Sequence, residues 1–303
     1  MLITVFTPAY NRAKLLPRVY ESLCKQTFRD FEWLIVDDGS KDDTRSVVDK
    51  FRVESCLTSD IRPQASNFPI RYFYQENEGK PSSINYGMEK AKGELFFIVD
   101  SDDVLTSDAL ETIARDWESV RDKGLCGISY LRGYSETKPI GDLHPEDYGI
   151  SNFIEVRINQ GSEGDKAEVW VTKCLREYRY PIFPGEKFIG ESYIWYQLAE
   201  KYDMLFRNKI IYVTEYLEGG LSQSGRAMRV KYPLGAIELC KICMSPRFRF
   251  TYREKKTMLY VAYHFFAKKG FKEMMDIPYK KLVLLNYVPG YLLYKYWNWR
   301  FNK

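Results

Sequence analysis

The apolar run Phe96-Phe97-Ile98-Val99 stops abruptly on Asp100-Ser101-Asp102-Asp103. A short apolar run bounded by polar residues reads as a strand buried on both faces, the kind found in parallel sheets covered by helices. Three carboxylates in four residues at its end repel one another. Desolvating them is costly unless a cation stands among them. The simplest such cation is a divalent ion with oxygen ligands, Mg2+ or Mn2+. A metal held by few carboxylates at the C-terminal edge of a sheet commonly holds phosphates as well. The stretch therefore points to a metal and diphosphate site at Asp100 and Asp102. It is equally compatible with solvated acids ahead of the next helix, with Ser107 or Asp108 capping Ala109-Leu110.

The preceding residues repeat one alternation. Residues 2–7 read as a strand that Pro8 ends, because proline cannot donate to a ladder. Asn11 is placed to cap a helix over 13–25, where Leu15, Leu16, Val19 and Leu23 keep near-helical spacing. Residues 32–36 form the second strand, followed by Asp37-Asp38-Gly39-Ser40. Asp42 and Asp43 then suit the positive end of a helix dipole. Residues 52–69 carry little pattern and read as an irregular connection. Residues 70–74 form a third strand, Gly79-Lys80-Pro81-Ser82-Ser83 opens a helix, 95–99 is the fourth strand, and a helix spans 109–120. Strands alternating with helices indicate a doubly wound, mainly parallel sheet. The loops after strands one, two and four then share one edge, where a ligand binds by the switch-point rule. That edge collects Pro8, Tyr10, Asp37, Asp38, Asp100 and Asp102, a set that suits a nucleoside diphosphate. Tyr10 or the backbone near Pro8 flanks a base, and Asp38 accepts from a base N–H. Asp100 accepts from ribose hydroxyls, and Asp102 holds the metal.

Four motifs stand in order: Thr7-Pro8-Ala9-Tyr10-Asn11-Arg12, Val36-Asp37-Asp38-Gly39-Ser40, Asn85-Tyr86-Gly87 and Asp100-Ser101-Asp102-Asp103. Each alone is weak, but the ordered set over about the first 105 residues closely resembles glycosyltransferase family 2. The resemblance implies a GT-A fold: α/β, a doubly wound, mainly parallel mixed sheet with helices on both faces, here with an α-helical C-terminal tail. It implies an inverting, metal-dependent hexosyl- or hexosaminyltransferase using a nucleotide-sugar donor, with uracil as the base, and Mn2+ or Mg2+ as cofactor. Pro8, Tyr10, Asn11, Arg12, Asp38, Asn85, Asp100 and Ser101 become nucleotide-binding positions. Asp100 and Asp102 form a DxD-type metal motif, although the sequence leaves open which of Asp100, Asp102 and Asp103 ligates. On this reading residues 1–124 are the nucleotide-sugar-binding half, 125–226 the acceptor-binding half, and 227–303 a helical aromatic and basic region.

Beyond Gly124 the alternation fades. Residues 126–131, 152–156, 167–171 and 210–213 read as strands. An inverting transferase needs one carboxylate to take the acceptor's hydroxyl proton. In the family that acid lies in a short Glu-Asp-like motif at the position of Gly190-Glu191-Ser192. Glu191 stands alone where many relatives carry two acids, and Glu186 is the second candidate. A helix-first-turn acid is the structural alternative for Glu191. Residues 218–226 read as a loop, either a lid over donor phosphate with Arg226 or Arg229 reaching it, or a plain surface turn. Some relatives place a metal-binding histidine here. This chain has only His144 and His264, so phosphate oxygens and water are expected to complete the shell.

From residue 251 onward the chain is helical, aromatic and basic. Leu282-Val283-Leu284-Leu285, Tyr291-Leu292-Leu293-Tyr294 and Tyr296-Trp297 lie among Lys280, Lys281, Lys295, Arg300 and Lys303. Asn286 and Pro289-Gly290 interrupt it, and no stretch has the ~18 apolar residues of a membrane span. Such a segment suits interfacial attachment to anionic headgroups, in keeping with a lipid-linked or polysaccharide acceptor. Packing onto the core or onto a second subunit as a homodimer is the alternative. Cys240-Lys-Ile-Cys243 has no second pair, and scattered thiols with no signal peptide fit a cytoplasmic protein, peripheral on the inner face of the membrane. A net charge of +4 is too small to argue for nucleic acid. A sugar-nucleotide pyrophosphorylase would carry a glycine-rich loop after strand one, which this chain lacks. A catalytically dead, membrane-associated adaptor would not need Asp38, Asp100, Asp102 and Glu191.

Overall fold

The computed structural model describes residues 1–55, 68–214 and 221–301. The contact pattern divides the chain into two units. The first comprises Met1–Asn152, Ser162–Arg179 and Tyr202–Tyr216. The second comprises Phe153–Gly161, Tyr180–Lys201 and Leu217–Lys303. The stretch 125–226 contributes to both.

The first unit is a mixed sheet covered by helices. Its elements run β1 (Ile3–Ala9), α1 (Leu16–Cys24), β2 (Phe31–Asp38), α2 (Thr44–Ser55), β3 (Ile70–Gln75), α3 (Lys80–Lys90), β4 (Leu95–Ile98), β5 (Val104–Leu105), α4 (Ala109–Glu118), β6 (Gly127–Gly133), β7 (Gly149–Ser151), β8 (Lys166–Val171), α5 (Thr172–Leu175) and β9 (Met204–Val213), with α6 (Ser192–Ala199) of the second unit falling between the last two in the chain. The strand order is β3-β2-β1-β4-β8-β6-β9-β5, with β7 also paired to β9. β3, β2, β1 and β4 are mutually parallel, as the alternation requires. Beyond β4 the sheet turns mixed, since β8 pairs antiparallel with both β4 and β6. The order reverses beside β1, which has the second strand on one side and the fourth on the other. This is the switch point where the strand-end loops part and leave room for a ligand.

β2 is buried along its whole length. Trp33, Phe96 and Phe97 are almost fully buried, and each contributes about 2–3 kcal/mol through the area it removes from water. Glu32, one of three buried acids in β2, accepts from Thr4 Oγ1 at 2.7 Å and Lys92 N at 2.8 Å and pairs with Arg71 at 3.0 Å. α3 packs where Gly87 stands, because a Cβ there would lie 2.3 Å from the Phe6 ring. The glycine of the Asn85-Tyr86-Gly87 motif is thus a packing requirement.

β1 continues through Pro8 to Ala9, two residues beyond the expected end at Thr7. The Phe6 carbonyl points at Val99 N of the β4 side, so Pro8, two residues on, faces the same way. Pairing with β4 has already ended at Phe6 and Ile98, so the missing donor breaks no ladder bond. Residues 152–156 are not a strand. A π-helical turn, Glu155–Asn159, follows β7, with Phe153, Ile154 and Val156 buried. Five residues of mixed β-branched character cannot separate the two readings.

The second unit is helical. It contains α6 (Ser192–Ala199), α7 (Leu221–Lys231), α8 (Pro233–Ile242), α9 (Phe250–Phe266), α10 (Phe271–Met274), α11 (Lys280–Leu285) and α12 (Tyr287–Phe301). Its core gathers Ile237, Met244, Tyr260, Val261 and Trp297. α12 approaches α9 closely at Gly290, where a Cβ would meet Val261 Cβ at 2.6 Å. Asn286 breaks the tail between α11 and α12. Pro289 falls in the first turn of α12, where its missing N–H costs nothing. Of the expected loop at 218–226, residues 218–220 lie outside the described residues, and 221–226 are helix. Leu221, Gln223, Arg226, Ala227 and Met228 are good helix formers that outweigh Gly225.

Candidate active site

The loop after β1 is laced to the loop after β2. Asn11 N donates to Ser40 Oγ at 2.8 Å, and Lys41 N donates to Asn11 Oδ1 at 2.8 Å. Arg12 N donates to Thr44 Oγ1 at 2.9 Å, and Ala13 N donates to Asp42 Oδ2 at 3.1 Å. Asn11 holds this turn with φ of 54°, a left-handed conformation that asparagine tolerates better than most residues. Arg12 reaches the other way, its Nε donating to Ser101 Oγ at 3.0 Å, and ties the same loop to the acid segment. Tyr10 stands out of this frame with 44% of its surface exposed.

Asp38 is buried at the end of β2. Its Oδ1 accepts from Gln75 Nε2 at 2.7 Å and Glu78 N at 2.9 Å, and its Oδ2 accepts from Gly79 N at 2.8 Å. These bonds fix the turn into α3 and leave about one lone-pair site of the carboxylate for another donor. Asp37 turns to the opposite side, accepting from Ser40 N at 2.8 Å and from the Tyr72 hydroxyl at 2.6 Å. Burial, with the Asp37 carboxylate beside it, raises the Tyr72 phenol, so it donates at all ordinary pH. A cleft of about 290 Å³ opens here, lined by Asp37, Lys41, Arg45, Tyr72 and Tyr74 among others.

Asp38 also places Lys80, the first residue of α3, against the acids. Its Nζ lies 2.5 Å from Asp100 Oδ1. Arg132 on β6 faces the same cluster, 3.8 Å from Asp100 Oδ2 and 3.7 Å from Asp103 Oδ2. Its guanidinium lies 4.1 Å over the ring of Tyr212 on β9. The Tyr212 hydroxyl accepts from Asp100 N and donates to Asp103 Oδ2, both at 2.8 Å. The two acids are pushed apart. Burial alone would raise the Asp100 carboxyl, but Lys80 and Arg132, with Arg12, hold it below its usual range. Burial and the neighbouring Asp100 charge push Asp103 up to about 7. Asp100 is therefore the standing anion, and Asp103 Oδ1 is buried without a hydrogen-bond partner. Asp102 is partly exposed beside them.

The cations that the acids demand are thus Lys80 and Arg132, neither of which the sequence reading singled out. Lys80 had a signal, a lysine directly after the glycine that opens a helix at the strand-end edge. Arg132 and Tyr212 had none, because their approach depends on how β6 and β9 pair. Among the described residues no three His, Cys, Asp or Glu side chains form a metal-holding cluster. Asp100 and Asp102 are hard oxygen donors, and these two would suit Mg2+ or Mn2+ with phosphate and water supplying the rest of the shell. Asn85 is half-buried on α3.

Glu191 lies in the second unit, immediately before α6, where its carbonyl accepts from the Tyr180 hydroxyl at 2.9 Å. Glu186 is committed elsewhere. Its two oxygens accept from Leu234 N at 3.0 Å and Gly235 N at 3.1 Å, at the positive end of α8. Arg226 and Arg229 engage aromatic rings of their own unit, Trp297 and Phe188, each at 5.7 Å. His264 is buried, with Nδ1 2.9 Å from the Tyr260 carbonyl oxygen.

Residues 4–170 match the family described as Glycosyl transferase family 2. Glycosyltransferase GlyG of Streptococcus pneumoniae is 25% identical over 237 residues, covering 77% of this chain and 75% of that protein. The GalNAc(5)-diNAcBac-PP-undecaprenol beta-1,3-glucosyltransferase of Campylobacter jejuni is 24% identical, covering 96% of this chain and 91% of that protein. S. aureus TarS 1-349, solved in complex with UDP-GlcNAc, superposes with a TM-score of 0.64 at 17% identity, covering 96% of this chain and 79% of that one. The chain spans 44% of the longer TarS structure. Mannosyltransferase PcManGT from Pyrobaculum calidifontis, in complex with GDP-Man and Mn2+, gives a TM-score of 0.56 at 18% identity, covering 97% and 83%. These likenesses show the fold, which is that of the GT-A glycosyltransferases.

Proposed function

This chain belongs to glycosyltransferase family 2, and we propose that it is an inverting transferase moving a sugar from a nucleoside-diphosphate sugar, a UDP-sugar, to a hydroxyl of a lipid-linked or polysaccharide glycan. The observation that carries the reading is the convergence of three strand-end loops at one edge, with Lys80 and Arg132 facing Asp100. Tyr10 offers an exposed ring to a base, beside Pro8. Asp38 keeps a lone-pair site for a base N–H. Asp100 and Ser101 take the ribose, and Asn11, Arg12 and Asn85 add further contacts to the nucleotide.

Asp100 and Asp102 would hold the divalent ion, Mn2+ or Mg2+, which when bound stabilises charge developing on the departing diphosphate. Lys80, at the N-terminus of α3, adds a fixed positive charge and a helix dipole to the same place. Glu191 accepts the proton from the acceptor hydroxyl as that oxygen attacks the anomeric carbon and the bond to the diphosphate breaks. Glu186 is the weaker candidate because both of its oxygens already cap α8.

The C. jejuni relative is named for an undecaprenol-linked acceptor and the TarS complex for UDP-GlcNAc, which supports the acceptor class and the base. The described cysteines are thiols rather than disulfides, in keeping with a cytoplasmic location on the inner face of the membrane. The test is Glu191→Gln. Donor binding should persist while transfer falls by about 10²–10⁴-fold. Retained turnover would remove Glu191 from the base role.

A further inference from the structure

Residues 277–303 contain no Asp or Glu, and carry Lys280, Lys281, Lys295, Arg300 and Lys303. α12 is apolar on both sides. Its inner side packs Gly290 and Trp297 into the helical core. Its outer side carries Val288, Leu292, Tyr296 and Trp299, spaced by four, four and three residues and thus on one helix face. They are 64%, 61%, 48% and 60% exposed. Leu285, at the end of α11, is exposed by 63%. A helix with apolar residues on its outer side as well as its inner one needs a second apolar surface, and a soluble surface rarely leaves such a stripe in water.

The stripe has charged margins. On a helical wheel Lys295 and Arg300 fall on its opposite sides. The Lys295 ammonium lies 5.4 Å over the Tyr291 ring, and Arg300 Nη1 donates to the Tyr296 hydroxyl at 3.3 Å. Each long side chain is thus held along the face with its charge at the rim, where a headgroup would meet it. No helix among the described residues is long and apolar enough to cross a membrane.

We propose that α12 is an interfacial helix that lies on an anionic lipid surface, with Val288, Leu292, Tyr296 and Trp299 entering the acyl boundary and Lys280, Lys281, Lys295 and Arg300 meeting the headgroups. A second copy of the chain fits this face poorly. Self-pairing of the stripe would bring cationic rims together, and residues 277–303 offer no acidic side chain to answer them. An anionic surface answers every one, at about fivefold in affinity per cation. The proposal deepens the reading of a lipid-linked acceptor, yet the face and the nucleotide edge are separate sets of residues.

The test is co-sedimentation of the full chain with vesicles of phosphatidylcholine alone or with three parts in ten phosphatidylglycerol. The chain should pellet with the anionic vesicles and be released by salt. Leu292→Glu and Trp299→Glu should each weaken pelleting by about tenfold, and Lys295→Glu with Arg300→Glu should remove the preference for phosphatidylglycerol. Nucleotide-diphosphate affinity should stay unchanged in all three variants. Absence of pelleting with anionic vesicles overturns the proposal, as does pelleting that Leu292→Glu and Trp299→Glu leave intact. A dimer in sedimentation velocity that these variants dissociate, with no vesicle binding, would assign the face to a second copy. Loss of nucleotide binding in the unsubstituted chain would instead strike the transferase reading.

Discussion

The acid edge of the sheet unit and the outer face of α12 handle their costly groups in opposite ways. At the edge, charges are answered from elsewhere along the chain: Asp38 by Gly79, Asp100 by Lys80 and Arg132, and Arg12 by Ser101. Such a site is organised before any ligand arrives and is suited to something small and charged. On α12, large apolar side chains stay in water with a cationic rim and no acids, so what completes it lies outside the unit. The difference separates a pocket that binds by preorganised electrostatics from a surface that binds by burying area.

The contrast makes stability its sharpest discriminator. Asp38→Ala removes three charge-assisted bonds, two of them to backbone N–H groups at the turn into α3, and should cost about 3 kcal/mol in urea denaturation. Leu292→Glu should shift the same measurement by less than about 0.5 kcal/mol. Comparable losses in the two would erase the distinction. A smaller effect is expected at Lys80. The Lys80 and Asp100 side chains are 29% and 27% exposed, so Lys80→Met should change stability by under about 1 kcal/mol. It should nevertheless weaken nucleotide-diphosphate binding by about tenfold, because a charge-assisted contact is lost. Unchanged affinity in a calorimetric titration would reduce Lys80 to a partner of Asp100 alone.

The smallest effect concerns the interior of the helical unit. Burial pushes the Cys240 thiol up to about 12 and the Cys243 thiol up to about 11. Thiolate is the reactive form, so neither should be alkylated by iodoacetamide in the folded protein at pH 8. Because both values lie above the unfolded thiol's roughly 8.5, the contribution of these neutral thiols is complete below that pH and declines as pH rises towards 11. Rapid alkylation would mean that the helical unit is loosely packed, and the exposed stripe would then be one symptom of looseness instead of a dedicated face.

Much of the edge was legible in the sequence. The parallel strands, the convergence of their loops and the acids at the end of β4 all follow from alternation and from where apolar runs stop. What escaped depends on distant pairing. Beside the metal expected at Asp100 and Asp102, two cations of the chain itself face Asp100, Lys80 from a helix start and Arg132 from β6. Asn11 and Arg12, nucleotide contacts by family resemblance, also form the frame between loops. The motif position already favours Glu191 over Glu186 in the sequence, and the start of α8 engages both oxygens of Glu186. In the tail the aromatic and basic composition was plain. Which residues faced outward depended on α12 packing against α9 through Gly290.

The central claim is that the acid edge binds a nucleoside diphosphate through a divalent ion. Calorimetric titration of UDP, GDP, CDP and dTDP, with and without Mn2+, tests it in the native chain and in Asp102→Asn. The account predicts that one diphosphate, UDP, binds tightly only with Mn2+, and that Asp102→Asn abolishes this dependence. Equal affinity with and without Mn2+, or an Asp102→Asn variant that binds as the native chain does, would contradict it.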